Sequence, residues 1–76
     1  MTERQLIQEI LNTVDVEYNF ENVDSDNSAY DIKVFQQKED RRPLKNVNDE
    51  LKKYFNEAGF NYTEHIGDDL DLKISK

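Results

Sequence analysis

The side chains that most often carry out chemistry are few in this sequence. His65 is the only histidine and cysteine is absent, which excludes sites built on thiolates. Ser25, Ser28 and Ser75 are the candidate nucleophiles that His65 would have to activate, but none has the sequence context of a catalytic serine. We expect His65 instead to be a surface residue of a strand, opposite Asp71.

The glycine content argues against nucleotide chemistry. Gly59 and Gly67 are the only glycines, so neither a phosphate-binding loop nor a dinucleotide-binding fingerprint can be formed. Together with the lack of a serine in a catalytic sequence context, this predicts that the protein is not an enzyme and holds no cofactor.

One segment has the oxygen-rich start of a calcium-binding loop. The run from Asp24 to Ser28 places side-chain oxygens at alternate positions. A specific calcium loop then needs a glycine at its sixth position and a bidentate glutamate at its twelfth. Ala29 and Phe35 occupy those positions. The segment therefore predicts a solvated polar loop, and we expect no metal site.

Acidic residues dominate the segment from Asp15 to Asp31, which holds six of them and no lysine or arginine. Side chains on one face of a strand repeat every ~6.6 Å, so carboxylates on neighbouring strands can present a regular negative surface, as a nucleic-acid backbone does. A second acidic group follows Gly67. We predict a partner-binding surface made of Glu17, Glu21, Asp24, Asp26, Asp31, Asp68, Asp69 and Asp71.

The total charge specifies the kind of partner. The chain has 17 acidic and 10 basic residues, a net charge of −7, and such a domain is repelled by nucleic acid and attracted to basic surfaces. We expect a protein partner with a basic surface and no direct binding of nucleic acid. In size and charge the chain resembles the small acidic inhibitors that phages use against host nucleic-acid enzymes. That resemblance implies an inhibitor that mimics nucleic-acid charge.

Two other interpretations remain open. The acidic surface can serve solubility alone. Alternatively, the protein is a small accessory or structural subunit that docks on a partner through its helices or a sheet edge. The only basic cluster, Lys38, Arg41, Arg42 and Lys45, is interrupted by two acids and is typical of a solvated connector over residues 38–45.

Periodicity in the first half predicts one helix and two strands. Thr2 and Gln5 fit a capping box, and apolar residues then recur at helical spacing, which predicts a helix over 3–14. Alternation from Val16 predicts a strand with Tyr18 and Phe20 inward. The polar run 22–28 predicts a loop. A second strand follows, whose inward residues are Tyr30, Ile32 and Val34.

The second half repeats this order. Asn46 or Asn48 is the expected cap of a second helix, with Asp49 and Glu50 in its first turn. Its apolar stripe is Val47, Leu51, Tyr54, Phe55 and Ala58. Gly59 suits the left-handed position after the helix, and Phe60 is expected to fold back on Phe55.

The last two strands form a hairpin whose loop length can be chosen by register. A three-residue loop from Gly67 to Asp69 pairs Ile66 with Leu70 and Tyr62 with Ile74, so that opposite residues share a face. A two-residue loop would mix core and solvent residues on one face. The longer loop also places His65 opposite Asp71.

The order of elements predicts one α+β domain over residues 1–76. We expect two α-β-β units that form a four-stranded, largely antiparallel sheet with two helices on one face. A weak internal repeat relates 1–37 to 46–76. Its matched residues are Asn12, Tyr18, Asp31 and Lys33 in the first unit and Asn56, Tyr62, Asp71 and Lys73 in the second.

No apolar stretch approaches the ~20 residues of a membrane span, and the first residues lack the features of a signal peptide. A cytoplasmic location without membrane contact is therefore expected. Strand order and oligomeric state are left open by the sequence.

Overall fold

A computed structural model describes all 76 residues. The elements follow the order α1 (Glu3–Thr13), β1 (Val16–Asp24), β2 (Ala29–Gln36), α2 (Leu44–Glu57), β3 (Asn61–Ile66) and β4 (Leu70–Ser75). The strands form one antiparallel sheet in the order β1-β2-β4-β3. This confirms the predicted α+β class, with two helices and a four-stranded sheet.

Local hydrogen bonds explain where α1 begins and ends. The backbone N–H of Thr2 donates to Gln5 Oε1 at 2.8 Å, and the N–H of Gln5 donates to Thr2 Oγ1 at 3.1 Å, which is the predicted capping box. After the helix, Asp15 takes a positive φ of 59° and its N–H donates to the carbonyl of Asn12 at 3.1 Å. The chain is thereby turned into β1.

The start of α2 differs from the prediction. The helix begins at Leu44 behind Pro43, which makes no side-chain cap, so the expected capping by Asn46 or Asn48 is wrong. The carbonyl of Pro43 accepts the first helical hydrogen bonds, and its ring fixes a φ of −57° that already suits a helix. Because the helix begins at Leu44, the connector ends at Pro43, two residues earlier than predicted. No acidic residue lies in the first turn, so the expectation for Asp49 and Glu50 is wrong.

The end of α2 agrees with the prediction. Gly59 has a φ of 88°, the N–H of Phe60 donates to the carbonyl of Phe55 at 3.0 Å, and that of Gly59 donates to Asn56 at 3.1 Å. The rings of Phe55 and Phe60 meet edge to face with centroids 5.8 Å apart. These two hydrogen bonds and the apolar contact form a Schellman motif, which only a residue tolerant of positive φ can complete without strain.

The first hairpin is longer than the sequence indicated. β1 continues to Asp24, so the prediction of a loop over 22–28 is wrong for its first three residues, and the turn occupies only 25–28. The register shifts between Phe20 and Asn22, which leaves Glu21 as the extra residue of a β-bulge. A polar strand end on a sheet edge buries little, and its composition therefore resembles that of a loop.

The sheet register places one apolar row on each strand toward the helices. In the centre, Tyr30, Ile32 and Val34 of β2 lie opposite Ile74, Leu72 and Leu70 of β4. In the second hairpin, Ile66 pairs with Leu70, Tyr62 with Ile74 and His65 with Asp71, which confirms the three-residue loop.

The inward rows and the two helices share one core of 15 buried hydrophobic residues. Val47, Leu51 and Phe55 of α2 are fully buried and Ala58 packs against the core, as predicted. Tyr54 does not belong to this stripe, because 39% of its surface is exposed. One step around the helix from Phe55, it lies at the boundary between the core and solvent, where periodicity alone does not decide burial.

Arg42 ties the two halves together. Its guanidinium pairs with Asp40 at 2.6 Å and with Glu50 at 2.7 Å, and it donates to the carbonyl of Val14 at the end of α1 at 2.7 Å. Gln36 also donates to the Arg42 carbonyl. Although it lies in the predicted solvated connector, this arginine joins the end of α1, the connector and α2.

We predict that Leu11→Ala and Phe55→Ala each lower the free energy of unfolding by roughly 2–4 kcal/mol, because both side chains are fully buried and their truncation leaves a cavity. Denaturant unfolding measures the effect. Tyr54→Ala is the matched control from the same helix and should cost about 1 kcal/mol or less. A cost below about 0.5 kcal/mol for either core variant would contradict the assignment.

The Arg42–Asp40 pair predicts a specific acid dependence. Side-chain and backbone hydrogen bonds from Arg42 lower the pKa of Asp40 from 3.8 to about 2. A carboxyl whose pKa is lower in the folded state stabilises the fold above its unfolded pKa, and this stabilisation is lost as the pH falls through the folded value. Unfolding experiments between about pH 6 and pH 2 should therefore show the advantage of wild type over Asp40→Asn disappearing below about pH 4. Parallel stability curves would refute this role of the pair.

Candidate partner-binding face of the sheet

The candidate site is the side of the sheet that faces away from the helices, which we call the outer sheet face. Alternation along each strand sends every second side chain there. Three rows cross all four strands, and two of them are Asn19–Lys33–Asp71–His65 and Asn22–Asp31–Lys73–Thr63. A third row, Asp24–Ala29–Ser75–Asn61, lies beside the first hairpin turn.

The centre of the outer sheet face carries both signs of charge. Lys33 of β2 lies opposite Asp71 of β4, and Asp31 of β2 lies opposite Lys73 of β4. The three ion pairs of the structure lie elsewhere, so these four side chains are cross-strand neighbours without a close N–O contact. Asp31 and Asp71, both predicted partner-binding residues, are therefore locally compensated by lysines.

Uncompensated acids lie along β1. Glu17 and Glu21 are exposed, and β1 contains no basic residue. Because of the bulge, both Glu21 and Asn22 lie across from Asp31. Glu21 lines a shallow depression together with Asp31, Asp71 and Lys73. The bulge therefore directs an additional carboxylate toward the compensated centre.

Asp24 and Asp26 differ in role although both belong to the first hairpin. Asp24 is half-buried and accepts hydrogen bonds from the backbone N–H of Asn27 at 3.3 Å and from Asn27 Nδ2 at 2.8 Å. Its carboxylate therefore holds the turn. Asp26 is exposed. Of the oxygens that resemble a calcium loop, those of Asp24 serve the hairpin itself, and the structure contains no group of three or more His, Asp or Glu side chains placed to hold a metal ion.

Asp68 and Asp69 lie at the other end of the sheet. Their loop precedes Leu70, which pairs with Val34, whereas the first hairpin turn adjoins Ser75 at the far end of β4. A strand of this length separates the two ends by roughly 20 Å. The eight predicted residues thus form an edge group, a compensated centre and a separate loop group.

The charge of the molecule is unevenly distributed between the sheet with its turns and the rest of the chain. The outer sheet face and its two turns hold eight carboxylates and two lysines, a net charge of −6. The helices, the connector and the remaining residues hold nine carboxylates and eight lysines or arginines, a net charge of −1. Five of these carboxylates and both lysines lie at outward strand positions, a net charge of −3, and the two turns add three carboxylates. Nearly all of the excess negative charge therefore lies at the outward strand positions and in the hairpin turns.

A polar network that the sequence interpretation did not predict lies on the inner side. Asn48 is buried, donates to Glu64 Oε1 at 3.1 Å and accepts from the hydroxyl of Tyr62 at 2.7 Å. Lys52 approaches Glu64 at 3.7 Å. Burial, with added repulsion from Glu64, raises the pKa of Tyr62. Alternation along β3 from Tyr62 puts Glu64 on the inner face, and an acid at an inward position is the sequence signal that could have revealed a polar partner there.

A second buried hydroxyl lies near the start of α1. Tyr30 donates to Glu3 Oε1 at 2.6 Å, and this hydrogen bond, with burial, raises the pKa of Tyr30 to about 12. Each of these two tyrosines thus links the sheet to a helix through a hydrogen bond from its neutral hydroxyl. Phe35 is the aromatic residue that points the other way: it pairs with Glu17 and lies half-buried on the outer sheet face.

Of the predicted basic cluster, Arg42 is engaged in ion pairs, while Lys38 and Arg41 of the connector and Lys45 at the start of α2 are exposed. His65 is exposed opposite Asp71.

Comparisons with models of protein families, with curated proteins and with solved structures returned no match for this chain. Neither helix has the length and apolar character that crossing a membrane would require.

The central charge pattern predicts a salt-dependent contribution to stability. Lys33→Gln/Lys73→Gln leaves Asp31 and Asp71 without opposite charges, and the free energy of unfolding should fall by about 0.5–1 kcal/mol at low salt. The loss should shrink as the Debye length falls from ~10 Å at about 0.1 M to ~3 Å at about 1 M salt. Lys45→Gln/Lys53→Gln on α2 removes the same charge from residues outside the ion pairs. Equal losses in the two double variants would contradict a specific cross-strand effect.

Proposed function

We propose that this chain is a non-catalytic binding protein whose outer sheet face and first hairpin engage the basic surface of a partner protein. The observation that carries the proposal is the uneven distribution of charge, with −6 of the net −7 at the outward strand positions and in the two hairpin turns. A protein that needed acidic residues only for solubility would have no reason to leave its helix layer nearly neutral.

The face is suited to a broad, flat contact. It extends over four strands, carries no covering element and presents its exposed acids along β1 and the first turn. A one-sided negative field orients and accelerates the approach of a basic partner. In this proposal Glu17, Glu21 and Asp26 make the main contacts, Asp24 holds the turn, and Asp31 and Asp71 contribute beside Lys73 and Lys33. Asp68 and Asp69 extend the negative field at the far end.

The concrete form of the proposal is an inhibitor that occupies a nucleic-acid-binding cleft. Such a cleft offers lysine and arginine side chains that neutralise phosphates, and carboxylates at strand spacing can pair with the same side chains. The size and acidity of the chain support this form. Its location in the cytoplasm, where nucleic-acid enzymes work, belongs to the same proposal.

Charge reversal tests the function. The partner is recovered from the source cell by pull-down at low and high salt, and its affinity is measured for wild type and for Glu17→Lys/Glu21→Lys/Asp26→Lys. Asp24 is left intact because it holds the turn. We expect wild-type affinity to fall steeply between about 0.1 M and 1 M salt and the variant to bind at least about a hundredfold more weakly at the lower salt.

The matched control is Glu9→Lys/Asp49→Lys/Glu57→Lys, which changes the net charge equally at exposed helix positions. It should keep most of the affinity, because the changed residues lie on the opposite layer. Thermal unfolding checks that both triple variants are folded. Unchanged affinity in the folded outer-face variant, or equal losses in both variants, would reject the outer sheet face and favour docking through the helices.

A further inference from the structure

The edge of β1 is the longer of the two free edges of the sheet. β1 has nine residues and pairs only with β2. The backbone N–H and C=O groups that point away from β2 therefore have no strand partner. β3 forms the opposite edge with six residues. Glu64 points inward from β3, and an inward acid is one of the features by which natural sheets discourage further pairing. The two edges therefore differ in their capacity to accept another strand.

An open depression follows the first part of the β1 edge. It is lined by Val16 and Tyr18, which face the helices, by Glu17 and Asn19, which face outward, and by Asn12 of α1 and Phe35 of β2. Because residues from both faces of β1 line it, the depression must lie against the edge of the strand itself. Tyr18 and Phe35 are half-buried. Apolar surface on both sides of the edge is thus left for another chain to cover.

The bulge at Glu21 sets the limit of this edge. A bulge interrupts the regular ladder and twists the strand, so a further strand can pair regularly only with residues 16–20. The exposed carboxylates of Glu17 and Glu21 lie near the two ends of this segment, and no basic residue lies on β1 to compensate them. The edge therefore favours a strand that brings positive charge to its outer side.

We propose that an extended segment of the partner adds to β1 as a further antiparallel or parallel strand, with basic residues outward and apolar residues toward the helices. Its basic side chains lie beside Glu17 and Glu21, and its apolar side chains cover Tyr18. The basic character of the partner rests on the proposed function. A second copy of this chain does not suit the edge, because β1 against β1 places acids beside acids.

Synthetic peptides test the mode of binding. The probe is a capped peptide of about seven alternating lysine and valine residues, whose pattern suits a strand with two different faces. One comparison peptide has the same composition with its lysines and valines in separate blocks, and another has the alternating sequence with N-methyl groups on alternate amides. We expect both comparison peptides to bind the full-length protein roughly tenfold more weakly or worse, because one loses the two-faced pattern and the other loses backbone hydrogen bonds.

Amide hydrogen exchange locates the strand. Adding the alternating peptide should slow exchange of exposed amides within residues 16–20 at least about fivefold and leave those of 61–66 unchanged. Glu17→Lys/Glu21→Lys should weaken peptide binding at least about tenfold, whereas Glu9→Lys/Glu57→Lys should change it less than about threefold.

The outcomes separate this proposal from the proposed function. Equal binding of all three peptides with no protection of 16–20 would overturn strand addition, and salt-sensitive binding that Glu17→Lys/Glu21→Lys weakens would still support the acidic face. Protection of 61–66 instead would overturn the assignment to β1. If the amides of residues 16–20 are already protected from exchange without peptide and the protein sediments as a dimer, the occupant of the edge is a second copy and the proposal is rejected. No binding of any peptide would also reject strand addition, while the partner pull-down tests the function independently.

Discussion

The pairing of β2 with β4 is the constraint on which the rest of the structure depends. It is the only strand pairing that joins the two α-β-β units, and it places Ile32 opposite Leu72 with matching pairs on either side. Because side chains alternate along a strand, a shift of one residue would send the apolar row of one of the two central strands to solvent. The same register fixes the outer sheet face, where each central aspartate lies opposite a lysine of the other unit. A single non-local contact thus determines both the core and the charge pattern.

The one-sided charge follows from this arrangement. The helices cover one side of the sheet, where charged residues such as Glu64 need partners, so within the sheet the outward positions are free to hold unpaired acids. On the helix side, acids are balanced by nearly as many bases, and Arg42 uses two of the acids to hold the connector. Exposed like charges cost little in water and salt, which lets a small core tolerate a net charge of −6 at the outward strand positions and in the hairpin turns.

The two edges of the sheet differ in their capacity to accept a further strand. β3 has an inward acid within a polar network that includes Asn48, whereas β1 combines exposed carboxylates with half-buried aromatic residues and an interrupted but open ladder. Binding that uses β1 would combine non-specific attraction with the directional hydrogen bonds of strand addition. Electrostatic attraction alone would give fast encounter but little selectivity among basic proteins.

The sequence by itself determined the element types, the inward rows and the register of the second hairpin, because these follow from local periodicity and turn chemistry at residues such as Thr2, Gln5 and Gly59. It did not determine the continuation of β1 past the bulge, since a polar edge strand has the composition of a loop. Nor did it show that Asn48 is buried rather than a helix cap, because its partners Tyr62 and Glu64 are distant along the chain. The acidic residues were visible in the sequence as a group. Only the tertiary structure decided which of them lie beside lysines, which one holds a turn and which remain exposed, because cross-strand neighbours are set by pairing between segments far apart in the chain.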